Sequence, residues 1–420
     1  MSGTIGSNIL SHSGTVAETA AGLNWVSTVV TASTVTVEAG NGYWINTTSN
    51  ACVITLPASA EAGDNIVIVD FARTWGTNSV ELDSNGLNFQ GNSDVYEVKY
   101  TTNGQSVNLI YSDATQGWIP LEDDVVADEP VQPPTQKAIF GYGKTSSDVS
   151  LTNLVNSSGV VAADVTGVGT ARNNLAASSY GGDKAIFGYG RTNTQVSMTN
   201  LVNNSGVVAT DVSGVGTARQ SLAAASYGGD KAIFGYGTDS SLTNLVNNNG
   251  VVGSDVTGVG TARNDLAAAS FGGDKAIFGY GYYYSGGVVN YSLTNKVSNS
   301  GVVASDTTGV GTARYLLAAA GYGGDKAIFG FGTTGSVTGL TNLVSNTGVV
   351  AANVSAVGTA RKGLAAAGYG GDKAIFGYGT TGSLTAITNL VNSSGVVASD
   401  VSGVGTAREK LAAAGFSYSA

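Results

Sequence analysis

The sequence predicts an all-β chain: a six-bladed β-propeller of four-stranded blades over residues 137–420, closed by pairing of its C-terminal strand with its first, behind a small β-sandwich-like domain. Three observations predict this. A block, GTARxxLAAAxYGGDKAIFGYG, recurs at near-constant period. Short strand-like runs alternate with Gly, Asn and Ser turns. The two ends of the array are complementary halves of one repeat.

The lysine of the block falls at Lys137, Lys184, Lys231, Lys275, Lys326 and Lys373, at intervals of 47, 47, 44, 51 and 47. Its arginine falls at Arg172, Arg219, Arg263, Arg314, Arg361 and Arg408. From Arg172 to Arg361 each arginine lies 12 residues before the next lysine, so the length varies just after KAIFGYG. Within the block, LAAASY and KAIFGYG read as two antiparallel strands, with Gly-Gly-Asp supplying the positive φ of a tight hairpin. Segments such as LTNLVNNSG and GVVASDVTG add two more, giving four short strands per repeat. A β-solenoid would need atypical end caps, because its terminal repeats lack neighbours. This array instead starts at Lys137 with the second hairpin strand and stops after Leu411 to Phe416, the first. Pairing those two would complete a sixth blade and remove the open edges. Small residues in LAAA suit the crowded innermost strand, and Phe187 of KAIF would fill space between blades. Proline is absent after Pro134, as paired strands require.

Residues 121–136, LEDDVVADEPVQPPTQ, read as an acidic, proline-containing linker. Residues 23–120 alternate strand-like runs with turns and form the second all-β domain; residues 1–22 form a weakly patterned tail, expected to order only against a partner. Among 420 residues, residues 1–136 hold 2 basic and 15 acidic side chains, and residues 137–420 hold 17 and 14. Neither part has a basic run, so the source of phosphate affinity that nucleic-acid binding needs is missing. No long apolar run or signal-peptide pattern occurs, which predicts a chain made in a cytoplasm and not inserted in a membrane. The single cysteine, Cys52, sits in an apolar run and reads as a core residue, and the single histidine, His12, lies in the tail. Nucleophilic triads and histidine metal clusters are therefore unavailable, and no enzyme activity, metal or cofactor is expected.

The order of Arg219, Leu222 to Ala225, Gly228, Gly229 and Ile233 to Gly237 resembles the kelch family, whose blades begin with an arginine before an apolar strand and turn at a glycine pair. The chain departs from kelch repeats in having no tryptophan after Trp118. The first domain, with GNGYWINTT at 40–48, Leu56 and Pro57, Ala62 to Asp64, Asp70, Gly117 and Trp118, resembles the β domains of bacteriophage tail fibres. That resemblance implies a virion tail protein, homotrimeric, bound to other tail proteins through residues 1–120 and displaying a domain that binds a host surface glycan or protein. A structural joint between virion subunits and a glycan depolymerase are the alternatives.

Two groups of residues are candidates for a site. One is a repeated pair in which an aspartate precedes the arginine by eight: Asp164 and Arg172, Asp211 and Arg219, Asp255 and Arg263, Asp306 and Arg314, Asp400 and Arg408, with Asn353 before Arg361. It reads either as an arginine ring for an anionic glycan or, preferably, as ion pairs bracing the outer strand of one blade against the inner strand of the next. The other is the variable loop after KAIFGYG, since a stretch that differs between repeats is not required by the scaffold. These loops are 144–150, 191–197, 238–241, 282–292, 333–339 and 380–386, and they offer Lys144, Arg191, Tyr282, Tyr283, Tyr284 and Tyr291 for ligand contact.

Overall fold

The computed structural model describes residues 9–12, 15–18, 23–94, 97–121, 128–131, 135–355 and 357–418. These contain β-strands and no helix, and the chain divides into two compact units, Met1–Pro133 and Pro134–Ala420.

In the first unit, β1 (Ile9–His12) and β2 (Thr15–Glu18) pair as an antiparallel hairpin, so part of the expected tail has strand structure of its own. Residues 1–8, 13–14 and 19–22 lie outside the described residues. The next strands are β3 (Asn24–Trp25), β4 (Thr34–Thr36), β5 (Asn41–Ile45), β6 (Cys52–Thr55), β7 (Asn65–Asp70), β8 (Val80–Asp83), β9 (Glu97–Tyr100), β10 (Ser106–Tyr111), β11 (Trp118–Pro120) and β12 (Asp128–Val131). They form two five-stranded sheets, ordered β11-β10-β7-β5-β3 and β12-β9-β8-β6-β4. Strands β3 to β8 alternate between the sheets and pair in parallel within each, so the chain winds as a coil before β9 to β12 finish it antiparallel. Both sheets feed one core that includes Ile45, Ile54, Ile68, Leu82, Leu109, Trp75 and Trp118. Buried Asp70 joins two loops to it, accepting the N–H groups of Thr74, Trp75 and Gly104. Burial pushes the Cys52 thiol up to about 11, so it stays protonated in this core.

The linker expectation is corrected at one point. Asp128–Val131 is not a free spacer but strand β12, paired with β9 at a sheet edge, where Pro130 is tolerated because an edge leaves one side of the strand without partners. Residues 122–127 and 132–134 lie outside the described residues.

The second unit contains six three-stranded antiparallel sheets. Five are continuous: Ala176–Tyr180, Lys184–Gly188 and Thr199–Val202, then their equivalents starting at Ala223, Ala267, Ala318 and Ala365. The sixth joins the ends of the unit, Ala412–Phe416 pairing with Lys137–Gly141, which pairs with Thr152–Val155. The four-stranded expectation needs correction. The segment after each third strand meets it at two points only, Val161 against Val155 and Val165 against Thr152 in the first copy. Between those points the pairing slips by one residue, and the side chain of buried Asn153 takes the place of a backbone donor, its Nδ2 bonding Ala162 O at 3.0 Å.

The first strands of the six sheets are neighbours in cyclic order, Ala412–Phe416 lying beside both Ala365–Tyr369 and Ala176–Tyr180. Their small residues surround one cavity of about 150 Å³. Two belts of backbone hydrogen bonds run between sheets at opposite strand ends. At the Gly-Gly-Asp turns, Gly181, Gly228, Gly272 and Gly323 donate to Asp230, Asp274, Asp325 and Asp372 O, and Gly370 to Gln136 O and Ser417 to Asp183 O, at 2.6–2.9 Å. At the other end, Asn174 donates to Lys410 O, Ser221 to Asn174 O, Asp265 to Ser221 O, Leu316 to Asp265 O, Gly363 to Leu316 O and Lys410 to Gly363 O, at 2.7–3.0 Å. The second belt returns to the residue where it began, and the first returns to the turn where it began, Gly181 to Asp183.

The seam therefore carries one strand pairing and members of both belts. Deleting residues 411–420 is expected to give a protein that is cleaved rapidly by proteases and elutes as aggregates, because Lys137–Gly141 is left as an open edge. A monodisperse, protease-resistant product would overturn the role given to the seam.

Candidate functional site

Each sheet is locked to the next through one aromatic ring. KAIFG ends in Gly141 because the next sheet's Phe187 packs there: a Cβ on Gly141 would lie 2.6 Å from Phe187 Cζ. The following Tyr142 turns left-handed, with φ 62°, and its ring sits between that phenylalanine and the next sheet's arginine. Arg172 Cζ is 4.3 Å from the Tyr142 centroid, and the Phe187 ring is 5.1 Å away, edge-on. The arrangement recurs with Arg219 over Tyr189, Arg263 over Tyr236, Arg314 over Tyr280, Arg361 over Phe331 and Arg408 over Tyr378.

These six arginines are buried, so none can grip a ligand at the surface. Arg219 donates Nε–H to Tyr236 O at 3.0 Å, Nη1–H to Thr217 O at 3.2 Å and Nη2–H to Asn244 Oδ1 at 2.6 Å. Burial draws the guanidinium groups below their ordinary value, Arg361 to about 10, which still leaves it protonated at neutral pH.

The expected aspartate partner, eight residues back, is not the one used. Arg172 lies 3.9 Å from Asp211, Arg219 lies 3.6 Å from Asp255, and Arg408 lies 4.0 Å from Asp164. The pairing stays within one sheet, from the loop entering its first strand to the segment beyond its third, because the chain crosses to the next sheet between each aspartate and the following arginine. Asp255 also caps that entering loop, accepting Thr217 N–H at 3.0 Å and Thr217 Oγ1–H at 2.6 Å. Burial tends to raise Asp255, but hydrogen bonds from Thr217 and Asn244 and the Arg219 charge outweigh it and hold the carboxyl below the usual range. Asn353 keeps the cap without a charge: its Oδ1 accepts Thr312 N–H at 3.1 Å and its Nδ2 donates to Thr312 Oγ1 at 2.8 Å. Asp306 and Asp400 cap Thr261 and Thr359 likewise.

The belt opposite the Gly-Gly-Asp turns differs chemically from everything around it. Its residues all have left-handed φ: Asn174 52°, Ser221 57°, Asp265 48°, Leu316 54°, Gly363 63° and Lys410 54°. Glycine suits this conformation best, and an L side chain costs about 1–2 kcal/mol there, yet five of the six carry one. They line a second cavity of about 100 Å³. Each preceding residue borders a variable loop: Glu409 meets Lys144, Asn173 meets Arg191, Asn264 meets Tyr282, Tyr315 meets Thr333 and Lys362 meets Thr380, while Gln220 N–H bonds Thr238 Oγ1 at 3.0 Å. The variable loops and the two residues between TAR and LAAA therefore share one end of the sheets. Those two residues were absent from the sequence-based candidates, although their variation inside an otherwise constant block was the signal.

The loop candidates fall into two groups. Lys144 and Arg191 come together, with Lys410, in a polar cleft of about 430 Å³. The tyrosines lie apart from it. Tyr282 packs against Tyr315 with ring centroids 4.9 Å apart and planes tilted by 59°, and Tyr282–Tyr284 pairs with Val288–Asn290 as a hairpin that leaves Tyr284 61% exposed and Tyr283 and Tyr291 half-buried. Desolvation, then Asp265 and Asp239, raise Tyr282 to about 12, so its hydroxyl remains a donor. Among the described residues, no group of three or more His, Cys, Asp or Glu converges, so this end offers charge, amide, hydroxyl and aromatic surface. The chain matches no protein-family model and no curated protein sequence.

Replacing Arg219 by Ala is expected to cost about 3–5 kcal/mol, because Tyr236 O, Thr217 O and Asn244 Oδ1 lose their donor and a cavity is left under the Tyr189 ring. Asp255→Asn should cost less than Asp255→Ala, as Asn353 already shows an amide in that role. Equal losses for the two, read from chemical denaturation, would contradict the capping account. Leu316→Gly is expected to hold or raise stability by up to about 1 kcal/mol, and a clear destabilisation would show that Leu316 serves the scaffold.

Proposed function

We propose that residues 137–420 form a closed six-bladed β-propeller of kelch-like type whose varied end recognises a ligand, glycan or protein, on a host cell surface. The first domain attaches and oligomerises, and the whole chain acts as a homotrimeric adhesin of the bacteriophage tail-fibre kind. The ring reading is supported by the seam pairing, the cyclic order of the first strands and the two belts.

One observation carries the recognition reading. Of 17 basic residues in 137–420, 12 occupy the repeat's fixed lysine and arginine positions, leaving Lys144, Arg191, Lys296, Lys362 and Lys410. Four of these five lie at the varied end. All four acids outside the fixed positions, Asp148, Asp239, Asp265 and Glu409, lie there too. Apart from Lys296 on a third strand and Asn353 in place of the repeated aspartate, the scaffold repeats its charged residues elsewhere and varies them at the end where left-handed backbone strain is tolerated to keep side chains. In the first domain, Trp25 on edge strand β3 and Phe71 after β7 are exposed, and support an association surface. In a trimer, three weak contacts would add through effective concentration.

A second reading, a joint between virion subunits, draws on a different feature. Val160, Val207, Val251, Val302, Val349 and Val396, at equivalent places beyond each third strand, are 61–66% exposed. Six repeated apolar contacts suit neighbours packed around the unit more than a receptor at its end.

The two separate on one comparison. In the full chain, residues 282–292 are replaced by TDSS, the native connection of a neighbouring repeat. Attachment to intact bacteria across a strain panel should fall at least tenfold with the melting temperature unchanged. Undiminished attachment both of this variant and of one in which Lys144 and Arg191 are changed to Gln would overturn recognition by the varied end.

A further inference from the structure

We propose that the cleft between the first two variable loops binds an anionic saccharide, a sugar unit carrying a carboxylate, sulfate or phosphate, through Lys144, Arg191 and Lys410. The inference rests on recognition by the varied end and names its ligand class. Three of the five basic residues outside the fixed positions converge in this single cleft. They come from three stretches of chain: Lys144 opens the first loop, Arg191 opens the second, and Lys410 belongs to the belt. Sequence proximity therefore does not explain their meeting.

Backbone pairing holds the walls. Lys144 N–H bonds Glu409 O and Arg191 N–H bonds Asn173 O, both at 2.8 Å. The Asn173 Nδ2–H bonds Asp148 Oδ1 at 2.6 Å, which occupies part of the one acid among the lining residues. Glu409 turns away, its carboxylate lying where a Cβ on Gly363 would come within 3.3 Å, and it does not line the cleft. Three cations and one carboxylate line the cavity, and Lys410 also lies within the field of Asp265 in the belt.

All ten lining side chains are charged, amide or hydroxyl, with no apolar member. A peptide side chain or a lipid tail would find no dry surface there, whereas a sugar presents hydroxyls that amides and hydroxyls satisfy in both directions. The cleft volume, about 430 Å³, falls in the range of small-ligand sites. Arg191 supplies the planar fork that carboxylate, sulfate and phosphate accept bidentately, and the two lysines act as point charges beside it. The equivalent positions elsewhere around this end are Thr238, Tyr282, Thr333 and Thr380, so the other loops cannot make the same site.

The test is calorimetric titration of the full chain with a panel of uronate, sialylated, sulfated and phosphorylated oligosaccharides, each beside its neutral parent, with inorganic phosphate as a bare-anion control. At least one acidic member should bind ten or more times tighter than its parent, and weaken as salt rises. Lys144→Gln and Arg191→Gln should each reduce that affinity about tenfold, consistent with loss of one charge-assisted bond, with unchanged melting temperature. Lys144→Arg should retain it. The proposal is overturned if no acidic saccharide binds, if neutral parents bind as well, if phosphate displaces the sugar at equal concentration, or if the double variant binds like wild type. Should cell attachment depend on residues 282–292 while both cleft variants attach normally and the unaltered protein binds no acidic sugar, the recognition reading stands and this ligand assignment fails.

Discussion

The buried guanidinium over an aromatic ring is the interaction on which the second unit depends. A charge without water is costly unless its hydrogen bonds and counter-charge are supplied locally. Each arginine finds carbonyl acceptors within its own sheet, an asparagine on the third strand in four of six cases, and the face of a ring from the sheet before. The demand for those partners fixes three things together: the residue after KAIFG must turn left-handed, the third strand must carry Asn at a buried position, and neighbouring sheets must stand at one spacing. Repetition of one solution leaves little freedom in the middle of the unit. Phe331, standing where other repeats have tyrosine except for the hydroxyl, shows what is dispensable: the ring is kept under Arg361.

Because the locks and the Gly-Gly-Asp belt hold every sheet alike, the opposite end can vary without loss of the fold. The left-handed belt is where stability and side-chain choice conflict. Asn, Ser, Asp, Leu and Lys occupy positions at which glycine would relieve the backbone, and their backbone N–H and C=O groups are already used by the belt. The belt is thus built on the backbone, with the Ser221 hydroxyl and the Asp265 carboxyl also bonded to each other, and the proposed recognition function gives its varied side chains a further role.

Much of this was legible in the sequence, and the gaps have physical causes. Repeat period, hairpin turns and the pairing of Lys137–Gly141 with Ala412–Phe416 follow from glycine placement and complementary ends, which are local signals. The fourth strand was over-read, because Asn153 looks like a turn former in the chain and acts as a side-chain rung in the ladder. The Asp–Arg partnership was assigned to neighbours in sequence, whereas crossing from one sheet to the next sends Asp164 to Arg408 and Arg172 to Asp211. In the first unit, strand-like runs separated by turns mark an all-β domain, but such runs do not say which strands are neighbours, and the parallel winding between two sheets is seen only in the structure. The cleft was half visible: Lys144 and Arg191 stood out as loop residues, while Lys410 was hidden inside a block that otherwise repeats.

Hydrogen exchange at the seam tests the proposed closure of the six sheets into a ring most directly. The amides of Asn174, Ser417 and residues 138–141 should exchange as slowly as their equivalents in the continuous repeats, Ser221, Gly181 and residues 185–188, because belts and ladder run through the join unbroken. Fast exchange confined to the seam, with the other sheets protected, would mean an open arc and would contradict the ring.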